Sequence, residues 1–209
     1  AIEKRLGDKI AAAFDAAVAE YSALPDTYGG RIMNMDTARE LSADYLIDRT
    51  KSAAVHEPAS AFIKALYAKQ LAEQEAPGQA PTVLFTAGGT GAGKTTAIQN
   101  LDAVRSLSDK AQIVYDTNMN GYASSQLKIE QALQAGKAVD IVLVARDPED
   151  ALVNGALPRA EGQRRRFGSG RTVPIRDHIA THIGAMESVK RLAKEYAGNP
   201  LVSVTVIDN

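Results

Sequence analysis

The chain has 209 residues, with 24 Lys plus Arg against 25 Asp plus Glu, 45% hydrophobic residues and neither Cys nor Trp. This composition excludes disulfides, thiolate catalysis, zinc fingers and iron–sulfur ligation, and it leaves enough apolar residues for a sizeable core. A formal net charge of -1 offers no global field to nucleic acid or acidic lipid, so a small molecule or a protein is the expected partner.

Apolar residues Leu6, Ile10, Ala13, Phe14, Ala17, Val18 and Tyr21 recur at three- and four-residue spacing. They predict one amphipathic helix over 2–24, stopped by Pro25. Turn-forming residues at 26–30 lead into a short strand over 31–35, and Asp36 has the position of an N-cap for a following helix. A second helix is predicted over 58–75, with Phe62, Ile63, Leu66, Tyr67 and Leu71 as its stripe, and 76–81 reads as a linker. Beyond the linker the period changes. Residues 82–86 form a continuous apolar run, the pattern of a strand buried on both faces.

There follow a glycine-rich turn, a helix over 93–107, a strand over 112–115 ending at Asp116, and a helix over 124–135 closed by Gly136. A strand over 140–145, an arginine-rich helical stretch, a helix over 174–196 and a last strand over 201–207 complete the chain. Strands alternating with helices predict an α/β fold, a three-layer α/β/α P-loop NTPase with a mostly parallel sheet and an N-terminal helical extension. The domain reading is one unit over 1–209. It comprises a helix at 1–24, a helical segment with an edge strand at 25–78, and a phosphate-loop core with an arginine-rich lid at 79–209. No apolar run approaches the ~18 residues of a membrane helix, and residues 2–8 lack the apolar core of a signal peptide. A soluble cytoplasmic protein is expected, with delivery into another cell left open.

Gly88-Gly89-Thr90-Gly91-Ala92-Gly93-Lys94-Thr95 fits the pattern of Gly, four residues, Gly, Lys and Ser or Thr. It lies between a buried-type strand and a helix, the context this motif requires. Its glycines let backbone N–H groups turn inward around phosphate oxygens. Lys94 reaches the β- and γ-phosphates and the Thr95 hydroxyl ligates Mg²⁺, with Thr96 completing the loop. ATP or GTP is the expected ligand. Asp116, at the carboxyl end of a strand, reads as a second Mg²⁺ ligand through water, as a contact to a substrate hydroxyl, or as a plain cap. The run from Pro158 to Arg171 is the most cationic part of the chain. It reads as a lid closing over a transferring phosphoryl group or, for Arg164, Arg165 and Arg166, as a solvated face. His178 and His182 lie one helical turn apart, but no acidic ligand pattern accompanies them, which speaks against a metal site there.

The phosphate loop, the segment Val153-Asn154-Gly155-Ala156-Leu157-Pro158-Arg159, and Gly170-Arg171-Thr172-Val173-Pro174 followed by Asp177-His178 together resemble the zeta-toxin family of P-loop kinases over about residues 82–209. The resemblance implies transfer of the γ-phosphate of ATP or GTP to a hydroxyl of a nucleotide sugar such as UDP-N-acetylglucosamine, or of another nucleotide-like molecule. It also implies an antitoxin as a possible protein partner. The family's two transition-state arginines fall on Arg159 and Arg171. Pro158 departs from the pattern and is expected to kink the helix carrying the first of them.

The family's general-base Asp normally follows the phosphate-loop helix, but residues 102–110 leave no room there for the extra strand and its crossover. The segment Asp36-Thr37-Ala38-Arg39-Glu40, with Val55-His56-Glu57-Pro58 after it, resembles the missing piece. A rearranged sequence order is therefore expected, with 32–35 as the edge strand and Asp36 as the base facing the phosphate loop. Asp36 could equally be an ordinary N-cap. Arg39 would neighbour a substrate phosphate, and Asp116 and Thr117 would take the place of the family's substrate-touching acidic residue and Thr. Two further readings stand beside this small-molecule kinase: a polynucleotide kinase or bare NTPase, and a nucleotide-binding interaction module without phosphotransfer. The first helix could cover the sheet or block the nucleotide site as an inhibitory element.

Overall fold

The computed structural model describes residues 1–209. Helices α1 (Ile2–Ala12) and α2 (Phe14–Ser22) open the chain, followed by strand β1 (Ile32–Asn34), helices α3 (Met35–Ala38) and α4 (Ala43–Ile47), a 3₁₀ turn at Arg49–Val55, and helix α5 (His56–Leu71). Strand β2 (Ala80–Ala87) runs into the phosphate loop, and α6 (Lys94–Asn100), α7 (Asp102–Lys110), β3 (Ala111–Asp116), α8 (Tyr122–Gln134) and β4 (Ala138–Ala145) come next. Then follow α9 (Pro148–Ala151), a π-helical turn at Leu152–Ala156, α10 (Leu157–Phe167), α11 (Ile175–Glu195) and β5 (Val202–Asp208). No helix is long and apolar enough to cross a membrane.

The chain divides into two compact units, one of residues 1–70 and 159–172, the other of residues 71–158 and 173–209. In the second unit four strands lie side by side in the order β3-β2-β4-β5, parallel throughout. This is a P-loop NTPase-like α/β fold. Val83 to Ala87 of β2 are buried in succession, as a strand covered on both faces must be. Helix α7 packs on β2 and β3, while α8 and α11 pack on β4 and on each other. The aligned register pairs Phe85 with Tyr115, whose rings stack with centroids 5.8 Å apart.

The first unit has its own core, in which Tyr21, Phe62, Tyr45, Met33 and Leu66 are almost fully buried. The predicted helix over 2–24 is in fact two. Ala13 leaves helical geometry at φ -152 and ψ 67, which lets α1 lie along the Arg49–Val55 turn while α2 meets the turns at Pro25–Thr27 and Arg39–Leu41. Nothing local marks the break, because alanine is the best helix former. The helix predicted over 93–107 likewise breaks at Leu101, in extended geometry at φ -96 and ψ 112.

Asn34, not Asp36, caps α3, its side chain accepting hydrogen bonds from the Asp36 and Thr37 N–H groups. Asp36 therefore stands in the first turn, and capping does not occupy its carboxylate.

Tyr21 fixes this local geometry. It is fully buried, and its hydroxyl donates to the Ile32 carbonyl at 2.9 Å while accepting from the Asn34 N–H at 2.8 Å. Helix α2 is thus built into the first unit and holds β1 by its backbone. Tyr21→Phe leaves both backbone groups short of a buried partner and is expected to cost about 1–3 kcal/mol in chemical denaturation. An unchanged midpoint would show that α2 does not hold β1 in this way.

Candidate active site

In the second unit the phosphate loop spans the end of β2 and the start of α6. Gly88, Gly91 and Gly93 take φ of 137, 76 and 97, a region closed to most side chains, and so curl the backbone into a cradle. Lys94 Nζ donates to the carbonyls of Gly88 and Gly89 at 3.0 and 3.4 Å and to Asn118 Oδ1 at 2.8 Å. The Asn118 carbonyl also accepts from the Gly88 N–H at 3.1 Å. Asn118 thus ties the loop after β3 to both ends of the cradle. It is followed by buried Met119 at φ 52, a strained conformation of the kind that collects at functional sites.

Three more contacts brace the loop. Thr181 Oγ1 accepts from the Thr90 N–H at 3.2 Å, His182 Nε2 meets the Thr90 carbonyl at 3.0 Å, and Asn209 Nδ2 donates to the Ala92 carbonyl at 2.9 Å. From the end of β4, Arg146 donates to the Gly91 carbonyl at 3.2 Å. A Cβ on Gly155 would lie 2.5 Å from the Gly91 carbonyl oxygen, so only glycine lets the π-helical turn approach the loop this closely. That turn also resolves the departure at Pro158. A π turn widens the hydrogen-bond spacing just before the proline, and α10 continues through Pro158 to Phe167.

His178 and His182 are tied to the backbone around the phosphate loop. Each presents Nε2 to a backbone carbonyl, that of Pro148 at 2.7 Å and that of Thr90 at 3.0 Å. A carbonyl only accepts, so Nε2 carries hydrogen in both rings and the lone pair of each neutral imidazole lies on Nδ1. Burial pushes the His182 imidazole below its ordinary range, and nearby His178 and Lys94 add to this against the pull of the Thr90 carbonyl. A depressed base contributes stability that is present above its unfolded pKa of about 6.5 and is lost as pH falls through the folded value. The melting temperature is expected to drop as pH is lowered from 7 through this window, and His182→Gln should flatten that dependence. An equal slope in both proteins would contradict this role.

Thr95 and Thr96 are exposed at the start of α6, and Asp116 Oδ1 accepts from Thr86 Oγ1 at 2.7 Å at the carboxyl end of β3. Thr117 Oγ1 accepts from the Met119 N–H at 3.4 Å, so this hydroxyl shapes the turn that presents Asn118. The structure contains no cluster of three or more metal-type side chains able to hold an ion alone. A hydroxyl and a carboxylate beside a phosphate cradle do suit Mg²⁺, which relies on few protein oxygens plus water and phosphate. Beside the loop, Gly88, Gly89, Val144, His182 and Met186 contribute to a mostly apolar cavity of about 360 Å³.

The first unit holds the second group of candidate residues. Asp36 Oδ2 pairs with Arg171 Nη1, and Asp36 Oδ1 lies 3.1 Å from Arg39 Nη1. Arg39 is only 4% exposed, and its Nη2 donates to His56 Nδ1 at 3.1 Å, which leaves the His56 proton on Nε2. Burial raises the Asp36 pKa, but the positive charges of Arg171, Arg39 and Arg159 outweigh it and hold the carboxyl below the usual carboxylate range. The carboxylate is therefore ionised at neutral pH. It also stays reachable, with 38% of its side chain exposed.

Arg159 is exposed on α10, as are Arg164, Arg165 and Arg166, of which Arg165 pairs with Glu161. Asp36, Arg39 and Arg171 thus come together in one unit, and Lys94 and its glycine loop in the other. The sequence carries no local signal for Asn118, Arg146, Thr181, His182 or Asn209 at this loop.

A family model described as Zeta toxin matches residues 105–209 of the chain. The match begins beyond the phosphate loop. No curated protein matches.

Proposed function

Because the chain belongs to the zeta toxin family, whose function is kinase-like and nucleotide-binding, we propose that it is a small-molecule kinase. In this reading it transfers the γ-phosphate of ATP or GTP to a hydroxyl of a nucleotide sugar or similar nucleotide-like acceptor. The observation that carries the reading is Asp36, an ionised, reachable carboxylate flanked by two arginines.

The phosphate loop, Gly88 to Thr96, holds the donor's phosphates through its backbone N–H groups. Lys94 takes up charge on the β- and γ-phosphates. Thr95 and, through water, Asp116 would hold Mg²⁺, which would supply further charge neutralisation to the donor's phosphates. Asp36 orients the acceptor hydroxyl and accepts its proton as the new O–P bond forms and the bond from the γ-phosphorus to the β-phosphate oxygen breaks. Arg171 and Arg159 stabilise the equatorial oxygens of the transferring group, and Arg39 and Thr117 meet the acceptor. The edge-strand rearrangement belongs to this proposal, with β1 delivering Asp36 as the base. An inhibitory partner protein would act on the same nucleotide site.

The test is to incubate the protein with ATP labelled at the γ-phosphate, Mg²⁺ and a cell extract. Label in the nucleotide-sugar and nucleotide fraction supports the proposal. Label released only as inorganic phosphate, or found only on RNA ends, would overturn it.

A further inference from the structure

We propose that Arg49 is a positioning residue whose task is to set Arg171 against Asp36. The inference rests on the kinase reading above for its catalytic meaning, but its structural content stands within the first unit alone.

Arg49 begins the 3₁₀ turn after α4 and is 4% exposed. Its guanidinium lies 4.0 Å from the centre of the Phe167 ring and 5.2 Å from that of Tyr45. Nη1 donates to Glu40 Oε1 at 3.0 Å, and the Arg49 backbone N–H donates to Ser169 Oγ at 2.8 Å. One residue therefore grips the chain at two points, Phe167 at the end of α10 and Ser169 just before Arg171.

The opposite side of the same segment is fixed to α10. The Arg171 N–H donates to Gln163 Oε1 at 3.0 Å, and a Cβ on Gly170 would lie 2.1 Å from the Ala160 carbonyl oxygen. The segment from Phe167 to Arg171 is thus clamped between Arg49 and α10, and the Arg171 guanidinium reaches Asp36 from the end of that clamp. The stretch of chain that supplies Asp36 and Arg39 also supplies the brace for Arg171.

The chemistry of Arg49 fits bracing better than filling. Burying a cation with one carboxylate partner is expensive, and an apolar side chain of similar volume would pack at lower cost. Its buried Nε has no hydrogen-bond partner, which adds to that cost. What arginine alone provides is a flat cation that stacks on Phe167 and still pairs with Glu40. Lysine at this position keeps the charge and loses the plane.

The experiment reads the Asp36 carboxyl directly, by carbon-13 NMR titration of wild type, Arg171→Gln, Arg49→Gln, Phe167→Ala and Ser169→Ala. Phe167 is 40% exposed, so its truncation keeps the test available if Arg49→Gln fails to fold. In the wild type Arg171 holds the titration midpoint down. Arg171→Gln is expected to raise it, and Arg49→Gln and Phe167→Ala are expected to raise it in the same direction, because the stacking of the Arg49 guanidinium on Phe167 is gone although Arg171 and the backbone hydrogen bond to Ser169 are still present. With the acceptor in hand, both brace variants should lose roughly tenfold or more in kcat with KM for ATP within about twofold, and Arg49→Lys should restore little of it. An Asp36 midpoint in Arg49→Gln and Phe167→Ala identical to wild type overturns the inference, as does an Arg171→Gln midpoint that does not move. Failure of the kinase reading would show separately, as absence of transfer by a wild type whose Asp36 still responds to the brace variants.

Discussion

Lys94→Ala is expected to bind Mg-ATP at least about a hundredfold more weakly than the wild type and to lower turnover by roughly three orders of magnitude, while its fold survives. Lys94 Nζ stands at the centre of the phosphate loop, donating to the Gly88 and Gly89 carbonyls and to Asn118 Oδ1. In that state the cation is balanced by dipoles and is poised to exchange them for phosphate oxygens. Its loss removes the main charge complement to the β- and γ-phosphates and the Lys94 partner of Asn118 Oδ1, while the Asn118 carbonyl keeps its hydrogen bond from Gly88. The supports that Lys94 does not make, from Thr181, His182, Asn209 and Arg146, remain. The melting temperature should therefore change far less than the affinity. Calorimetric titration with Mg-ATP and a thermal melt decide this. Wild-type affinity in the variant would remove the phosphate loop from the account.

Asp36→Asn is the second large effect, and its signature differs. Nucleotide binding should persist, because the residue contributes nothing to the phosphate cradle, while turnover should fall by about 10²–10⁴ for loss of a general base. Asparagine keeps an oxygen for Arg39 or Arg171 but not the negative charge, so the arginines also lose their counter-ion and some stability is forfeited. The pH profile carries a sign. Since the carboxyl is held below its ordinary range, it loses its proton early. The ion pair's contribution to stability is present above the unfolded pKa of about 3.9 and is lost as pH falls through the lower folded value. An acid limb of activity near pH 6 would belong to another group. Activity in Asp36→Asn within about twofold of wild type would remove this residue from the chemistry.

The phosphate loop was legible because its chemistry is local: glycines, a lysine and a hydroxyl in fixed order between a buried strand and a helix. The alternation of strands and helices was legible for the same reason, since periodicity reports which face each element buries. What escaped came from contacts between distant parts of the chain. Thr181, His182 and Asn209 reach the loop across 91, 92 and 117 residues of sequence, and no spacing rule connects a threonine–histidine pair to a glycine loop so far away. The cap on α3 was misassigned because Asn34 and Asp36 are both good capping residues. The helix starts two residues earlier than the polar pattern suggests. The breaks at Ala13 and Leu101 carry no glycine or proline signal at the break itself, and packing against neighbouring turns imposes the first of them. Arg49 was invisible for a related reason. A lone arginine in a mixed polar stretch reads as solvated surface until Phe167 and Ser169 are seen against it.

Transfer of a phosphoryl group to a small hydroxylic acceptor with Asp36 as the base is the central step of the proposed reaction. The most direct measurement is mass spectrometry of the nucleotide and nucleotide-sugar pool of a metabolite extract after incubation with Mg-ATP and either wild-type or Asp36→Asn protein. A species heavier by one phosphoryl group is expected with wild type and is expected to be nearly absent with the variant, although both bind Mg-ATP. No such species with nucleotide-binding wild type, or equal amounts from the two proteins, would contradict the proposed reaction.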